Sequence, residues 1–594
     1  MKAWQAWVSR SALVTHLPVS IVCCLLTSAL AHSQALHDHR ATLRVGMWTL
    51  WHDRSLTLSP AGSDGISIES CSPCSSYRVR EEITLRATGS NVEFDTQGRA
   101  MHANRVQVTG GVKLAAHNES QVLGYSVRFS AKDGVLVIAV DLPVERYVER
   151  VVASESGPND SEESLRALAV VVRSFALHQS HGHAGFDLCD STHCQLLHWG
   201  RSLPRQNTAH RAVLATAGET LWFHGRRAQG YFGKDCGGQA ASPGEIWPRI
   251  RPATPYGPSR ADGYCTRRGG NTWASTLERS ELTQALATAG LMRPGWKHLM
   301  VGRRGHSGRA ITVKIDSTEI PAEQFRLAVG QALGWNRIPS TWFEVSEQGD
   351  RFLFHGRGWG NGVGLCQKGA AEMGAEGKNM AEILEQYFPG TAIADEETGR
   401  TWIALDGEGF TVETLVDEDR RFLPVLSKAL REAQARSGFN VSARIRVRAF
   451  GSTDSFRNAT LGPGWVSAFT EGEWIGTQPL ATLAARRLLE PTMLHECLHA
   501  LVERETGPRA PLWLREGLVE FWSEGSSGSG SPSMPIDSVE KLLSHARNPS
   551  ESEGAHRAAA RYCAMLLRHY DREQVIAWLR SGIPDTVTAS LGQR

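Results

Sequence analysis

Beyond residue 31 the sequence contains no uninterrupted apolar stretch approaching the roughly 18 residues that a membrane-spanning helix needs. That removes a helical membrane domain from the body of the chain. An excess of charge is missing too: 64 basic residues stand against 62 acidic ones, a formal net charge of +2. Electrostatic binding of nucleic acid needs a concentrated basic face, and this balance argues against one. No fixed-period repeat runs through the chain, which argues against solenoids and propellers. What is present is ordinary for a soluble globular protein, with 41% hydrophobic and 21% charged residues. Single cores stop growing near about 250–300 residues, so 594 residues should divide into several domains. The 58 glycines point to tight turns in β-rich segments.

At the N-terminus, Lys2 and Arg10 precede an apolar run that ends in Ala29-Leu30-Ala31. A basic region, an apolar region and small residues in this order predict a signal peptide over residues 1–31. His16 and Pro18 weaken the alternative, an uncleaved anchor helix. The expected location is periplasmic or secreted, with no membrane span after signal removal. Two of the 11 cysteines, Cys23 and Cys24, lie in that segment. The other nine would enter an oxidising compartment, where an odd number leaves at least one thiol free or bound to something else.

From about Ala41 to Val140, short apolar–polar alternations punctuated by Gly, Asn and Asp predict hairpin-linked strands. The period then changes. "NDSEESLRALAVVVRSFALHQ" puts Leu165, Leu168, Ala169, Val172 and Phe175 on one helical face, with Asp160 and Glu163 as a capping box. Glycine-rich short strands resume, followed by helices at "CQKGAAEMGAEG" and "MAEILEQYF". The second stops at Pro389-Gly390, before an acidic stretch that reads as a domain boundary. The expected architecture is α+β throughout. A β-rich domain with inserted helices over 41–395 precedes a mainly helical α+β domain over 401–594.

Four collinear stretches carry the chemistry of the first part: "VERYVERVVASESGPNDSEESLRALAVVVRSFAL", "DLCDSTHCQ", "YFGKDCGGQAASPGEIWP" and "GRGWGNGVGLCQKGAAEMGAEGKNMAEILEQYFPGT". In this order they resemble the SpoIID/LytB family, named for stage II sporulation protein D. The resemblance implies a lytic transglycosylase that cuts peptidoglycan glycan strands, with its catalytic glutamate at Glu155. Such an enzyme uses the sugar's own 6-hydroxyl as nucleophile, so one carboxyl group can serve as acid and then as base. That group needs a raised pKa, which the apolar neighbours Val151, Val152 and Ala153 would favour. Arg357, Asn361 and Gln367 are substrate-contact candidates. The family commonly has histidine where Asn361 stands, and asparagine cannot titrate near neutrality, so binding rather than acid–base work is expected there.

His183, Cys189, His193 and Cys194 form a candidate zinc set, since mixed Cys/His ligation suits the tetrahedral ion. His181 lies just before it. A Cys189–Cys194 disulfide is the alternative, and Cys236 with Cys265 is a further disulfide candidate.

The second constellation is "TMLHECLHALVERETGPRAPLWLREGLVEFW". On a helix, His495 and His499 lie one turn apart and can aim two imidazoles at one ion, with Glu496 placed as base. A third protein ligand is needed, and "WLREGLVEF" offers Glu516, with Glu520 as the competing choice. This pattern resembles the gluzincin metallopeptidases and implies a Zn2+ site of His495, His499 and Glu516. Cys497 should face away, and Tyr562 reads as a core residue more than as a transition-state donor. The expected partners are peptidoglycan glycan strands, with cell-wall peptides or a wall amidase as further ones, because LytB-type relatives can act as amidase enhancers.

Overall fold

The computed structural model describes residues 42–592 except 72–73, 97, 179–182, 201–205, 248–254, 268, 270–271, 441–443, 463–464, 525–531 and 547. The expected signal peptide, His181 and most of a Ser/Gly-rich stretch after Glu524 lie outside the described residues.

The alternating segments between Thr42 and Pro143 pair into two six-stranded arrays, the first extended to seven strands by Leu188–Cys189. The period of two sends one face of each strand inward. Ile66, Ile68, Val106, Val108 and Phe129 from the first sheet join Leu56, Leu58, Leu85, Val92 and Leu114 from the second in one buried core. The larger sheet is antiparallel except at its edge, where Leu188–Cys189 lies parallel to Thr42–Gly46 in the register Gly46↔Cys189. That pairing fixes where Cys189 sits.

Helix α1 (Val144–Glu155) runs straight out of the strand Val135–Pro143, and Glu155 is its last residue. Helix α2 (Glu162–Ala176) differs from the sequence expectation in two ways. Its cap is Ser161, whose side chain accepts from the Ser164 amide at 3.1 Å. Asp160 instead accepts the Gly157 amide at 2.6 Å in the preceding turn. The helix is also buried nearly all round, because α1, α3 (Gln206–Ala215) and later helices pack on several of its faces. Arg173 of α2 is fully buried and is held by both oxygens of Glu145, at 2.8 and 2.6 Å.

Residues 272–357 build two three-stranded sheets and two helices, α4 (Arg279–Thr288) and α5 (Ala322–Leu333). They have a core of their own, with Leu277, Leu282, Phe325, Phe343, Phe352 and Phe354. The chain then adds α6 (Gln367–Ala375) and α7 (Met380–Tyr387), and its strand Ala392–Asp395 pairs back onto Glu219–Phe223.

From Ile403 a new five-stranded mixed sheet begins, with Ala468–Glu471 as an edge strand. Helices α8 (Leu423–Ser437), α9 (Leu489–Glu505), α10 (Leu512–Glu524) and α11 (Pro549–His569) pack over it around a separate core. The fold is thus mixed α+β, β-rich in front and helical behind. Between the two regions Leu214 and Ala217 pack with Phe450, Phe456, Ala459 and Trp474. Arg448, 2% exposed, donates there to the Ala217 carbonyl at 3.0 Å and to the carboxylates of Glu219 and Glu413. Among the described residues no helix is long and apolar enough to cross a membrane.

Candidate active sites

Glu155 is partly buried at the end of α1. Burial pushes its carboxyl group up to about 7 from the usual 4.5, while Gln367, Lys234 and the Leu196 amide pull the other way. A lone carboxyl group so placed can hold a proton near neutrality and also carry the anion once the proton has left. Two segments brace it. Gln367, buried at the start of α6, donates from Nε2 to the Glu155 carbonyl at 3.0 Å, so this substrate-contact candidate positions the backbone of Glu155. The loop after Cys189 lies along α1: Tyr147 donates to Gln195 at 2.9 Å, and the His198 amide donates to Ser154 at 2.9 Å.

That loop carries the candidate zinc set. One donor atom from each of His183, Cys189, His193 and Cys194 lies within 4.8 Å of the others. The His183 Nε2–Cys194 Sγ separation is 3.1 Å, and His193 Nδ1 sits 3.8 and 3.7 Å from the two sulfurs. Both thiols are free, so the disulfide alternative is not the arrangement found. The donor set fits a tetrahedral thiophilic ion, and Cys194 lies two residues from the Leu196 amide that faces Glu155.

The glycine-rich segment 356–364 leads into α6 and carries Trp359, which packs on Lys234. Gly364 has φ +75°, and an added Cβ would lie 2.1 Å from the Tyr231 carbonyl oxygen, so only glycine fits. Asn361 uses its side-chain oxygen to accept the Val363 amide at 2.9 Å, which shapes the turn itself. Arg357 is exposed, with its guanidinium 4.8 Å from the Trp342 ring centroid. Sequence reasoning missed two neighbours. Lys234 faces Glu155 electrostatically, and its ammonium lies 5.0 Å from the ring centroid of Trp359, which is 38% exposed. A tryptophan among glycines was the available signal.

In the rear region α9 carries His495, Glu496 and His499, and α10 carries Glu516 and Glu520. Gly517 lets α10 approach α11, since a Cβ there would lie 2.5 Å from the Ala559 carbonyl oxygen. The Nε2 atoms of His495 and His499 are 3.1 Å apart. Glu516 Oε2 lies 3.5 Å from His499 Nε2, whereas Glu520 Oε2 lies 3.6 Å from the other nitrogen of His495, Nδ1. Glu516 is therefore the carboxylate on the side where the two imidazoles converge. Burial holds His495 down at about 3, so it is neutral, as a ligand must be. Burial works against the Glu516 anion, yet His499 and His556 hold it at about 2. Two imidazoles and a carboxylate are donor types that zinc takes. His556 of α11, absent from the sequence reading, lies 3.5 Å from Glu516 and has its Nδ1 2.8 Å from the Ser552 carbonyl. A histidine some forty residues past the motif gave no spacing signal.

Glu496 is buried, and its pKa is raised by that burial; it accepts from Thr470 of the edge strand at 2.6 Å. Cys497 is fully buried in the rear core. Tyr562 is buried and donates to the Met534 carbonyl at 3.0 Å.

Residues 132–223 match the family model described as "Stage II sporulation protein", and residues 267–364 match one described as a domain of unknown function (DUF8618). An uncharacterized protein of Brachyspira hyodysenteriae is 26% identical over 54% of this chain and 86% of its own length. Stage II sporulation protein D of Bacillus subtilis is 25% identical over 43% of the chain and 76% of its length. The amidase enhancer of the same organism is 21% identical over 41% of the chain and 39% of its length. The similarity to the SpoIID family model is thus confined to residues 132–223, and both Glu155 and the His183–Cys194 set lie within the matched residues.

Proposed function

We propose that this protein is an exported cell-wall enzyme: a lytic transglycosylase acting on peptidoglycan through Glu155, with a zinc peptidase site behind it. The observation that carries the first half is a single half-buried carboxyl group with a pKa near 7, set in a SpoIID domain. Protonated Glu155 donates to the glycosidic oxygen as the bond to the sugar's C1 breaks. The resulting carboxylate is met by the Leu196 amide and Lys234. It then takes the proton of the 6-hydroxyl as that oxygen closes on C1, so the product is a 1,6-anhydro sugar, no water is consumed and Glu155 ends protonated. Trp359 offers an exposed aromatic face on which a sugar ring can stack beside this carboxyl group. The His183–Cys194 set holds the loop whose Leu196 amide faces Glu155.

In the rear site His495, His499 and Glu516 are the residues that would hold zinc. The ion supplies Lewis-acid activation of water and of a peptide carbonyl. Glu496 takes the proton from the attacking water and passes it to the leaving amine. His556 orients Glu516. The strand Ala468–Glu471 has an edge without a strand partner among the described residues, on which an extended peptide can pair next to Glu496.

The similarity to an amidase enhancer favours a second reading, in which the front region grips glycan without cutting it. A pure binder has no use for a buried carboxyl group poised near neutrality. Mass spectrometry of purified peptidoglycan digested by the protein separates these readings. Anhydro-muropeptides are expected together with cleaved peptides. Intact glycan strands would overturn the transglycosylase reading, and intact peptides the peptidase one.

A further inference from the structure

A further cluster of metal-type donors shares no residue with the sites described above. Cys236 follows the short strand Phe232–Gly233; Asp262 and Cys265 follow Arg260–Ala261; Cys366 ends Leu365–Cys366 at the head of α6. Three segments remote in sequence thus converge on one point. All four residues are 2% exposed or less. One donor atom from each falls within 4.8 Å of the others. Cys236 Sγ is 3.4 Å from Cys265 Sγ and 3.2 Å from Asp262 Oδ2.

These separations decide between two chemistries. A disulfide brings its sulfurs to about 2.05 Å. Four donors at zinc bond lengths of about 2.0–2.3 Å on a tetrahedron stand roughly 3.3–3.8 Å apart. The observed separations lie close to the second range, and the three thiols are free. A Cys236–Cys265 bridge would also leave Asp262 and Cys366 buried without use.

The surroundings suit an anionic metal centre. Asp262 is oriented through both oxygens: Oδ1 accepts the Tyr264 and Cys265 amides at 3.0 and 3.3 Å, and Oδ2 accepts the Tyr387 hydroxyl at 3.0 Å. The Cys236 amide donates to Cys366 Sγ at 3.3 Å. Such contacts fix metal ligands in place. Arg309 is fully buried and donates to the Cys236 carbonyl at 2.7 Å, while its Nε and Nη1 have no hydrogen-bond partner. A buried guanidinium is costly unless negative charge lies near it. Three metal-bound thiolates and a carboxylate would supply that charge.

We propose that Cys236, Asp262, Cys265 and Cys366 form a buried structural site for zinc or a similarly thiophilic divalent cation. It ties the segment after Phe232, the 262–265 turn and the head of α6 together. Cys366 directly precedes Gln367, so the ion would also fix the residue that braces Glu155.

The test uses the full chain purified without chelator, with metal measured by plasma mass spectrometry. Cys366→Ser and Asp262→Asn should each carry one equivalent of zinc less than the parent protein. Cys194→Ser should lose an equivalent additively with Cys366→Ser, since the two sets are separate. Unmodified protein provides a check that does not depend on folding of a variant. Under denaturing conditions without reductant, Cys236, Cys265 and Cys366 should all alkylate, and in the native state only after a strong chelator is added. Cobalt loaded into the Cys194→Ser protein should give thiolate-to-metal charge-transfer absorption that Cys366→Ser abolishes. A Cys236–Cys265 disulfide in peptide maps, or unchanged zinc content in folded Cys366→Ser, would overturn the proposal.

Discussion

Glu155 closes a helix and Glu496 sits in the middle of one, and their surroundings differ in kind. Around Glu155 the chain provides burial, the Gln367 side chain, one lysine and one backbone amide, and burial wins, so the carboxyl group itself becomes the titrating centre near pH 7. Around Glu496 it provides His495 and His499 with their Nε2 atoms 3.1 Å apart, Glu516 3.5 Å from His499, and Thr470 gripping one carboxylate oxygen. The front site can do acid–base work alone, whereas the rear one is organised around a set of ligands. A glutamate's role is set by whether its neighbours isolate it or surround it with donors.

The sharpest way to break this comparison is to remove each carboxyl group and run both assays. Glu155→Gln should lower release of anhydro-muropeptides by about 10²-fold or more while leaving peptide hydrolysis intact. Glu496→Gln should do the reverse and keep its zinc, because that residue is a base and not a ligand. Loss of both activities in either folded variant would mean that the two sites work as one. The next largest effect concerns the seam. Arg448 is buried between Glu219 of the front region and Glu413 of the rear. Arg448→Met leaves the buried Glu219 without its ion-pair partner, while Glu413 keeps Arg446 at 2.7 Å, and should cost about 3 kcal/mol in denaturant unfolding. An unchanged unfolding midpoint would remove this ion pair from the forces that join the regions.

Glu155 and the pair Glu516 and His495 should respond oppositely to pH. Native Glu155 keeps its proton up to about pH 7, whereas the unfolded chain releases it near 4.5. Between those values the native state binds more protons, so stability falls as pH rises through the window. Glu155→Gln should therefore be more stable than the parent at pH 8, by roughly 2–3 kcal/mol, and equal to it at pH 4. Glu516 and His495 have lowered native pKa values, so the stability they contribute is lost as pH falls. Equal stability of Glu155→Gln and the parent at pH 8 would show that this carboxyl group is not held protonated.

How far the sequence reveals this depends on whether a residue's partners are local. The strands of 42–143, the helix carrying His495 and His499, and the end of the helix at Pro389 all follow from short-range period and punctuation. Glu516 was legible because it lies one helix downstream in a recognisable string. His556 and the Cys236–Asp262–Cys265–Cys366 cluster were not, since each joins segments from tens of residues to more than a hundred apart, and only the fold brings them together. The separate core of residues 272–357 was hidden for another reason. Its strands are as short and glycine-flanked as those around it, so no change of period marks its edges. Asp160 and Ser161 are equally good caps by residue type, and only the turn at Gly157 decides between these neighbours.

The smallest effect expected lies at His210, which spans the seam. Its Nδ1 is 3.1 Å from Glu149 on α1, and its Nε2 is 2.8 Å from Glu471, the residue after Thr470. The imidazole thus connects the helix that ends in Glu155 to the strand that grips Glu496. Hydrogen bonds to Glu149 and Glu471 raise its pKa to about 9 from 6.5. The sign is that of a cation stabilised by folding: the contribution is complete below pH 6.5 and is lost as pH rises through 9. His210 is about one-third exposed, so solvent screening should hold the effect to about 1 kcal/mol or less. His210→Gln should accordingly unfold slightly earlier than the parent at pH 6, and at the same denaturant concentration at pH 10. An NMR titration of the His210 ring should show a midpoint well above 6.5. A midpoint near 6.5, with no pH dependence in the stability difference, would reduce this bridge to a surface contact and leave Arg448 as the charged link between the regions.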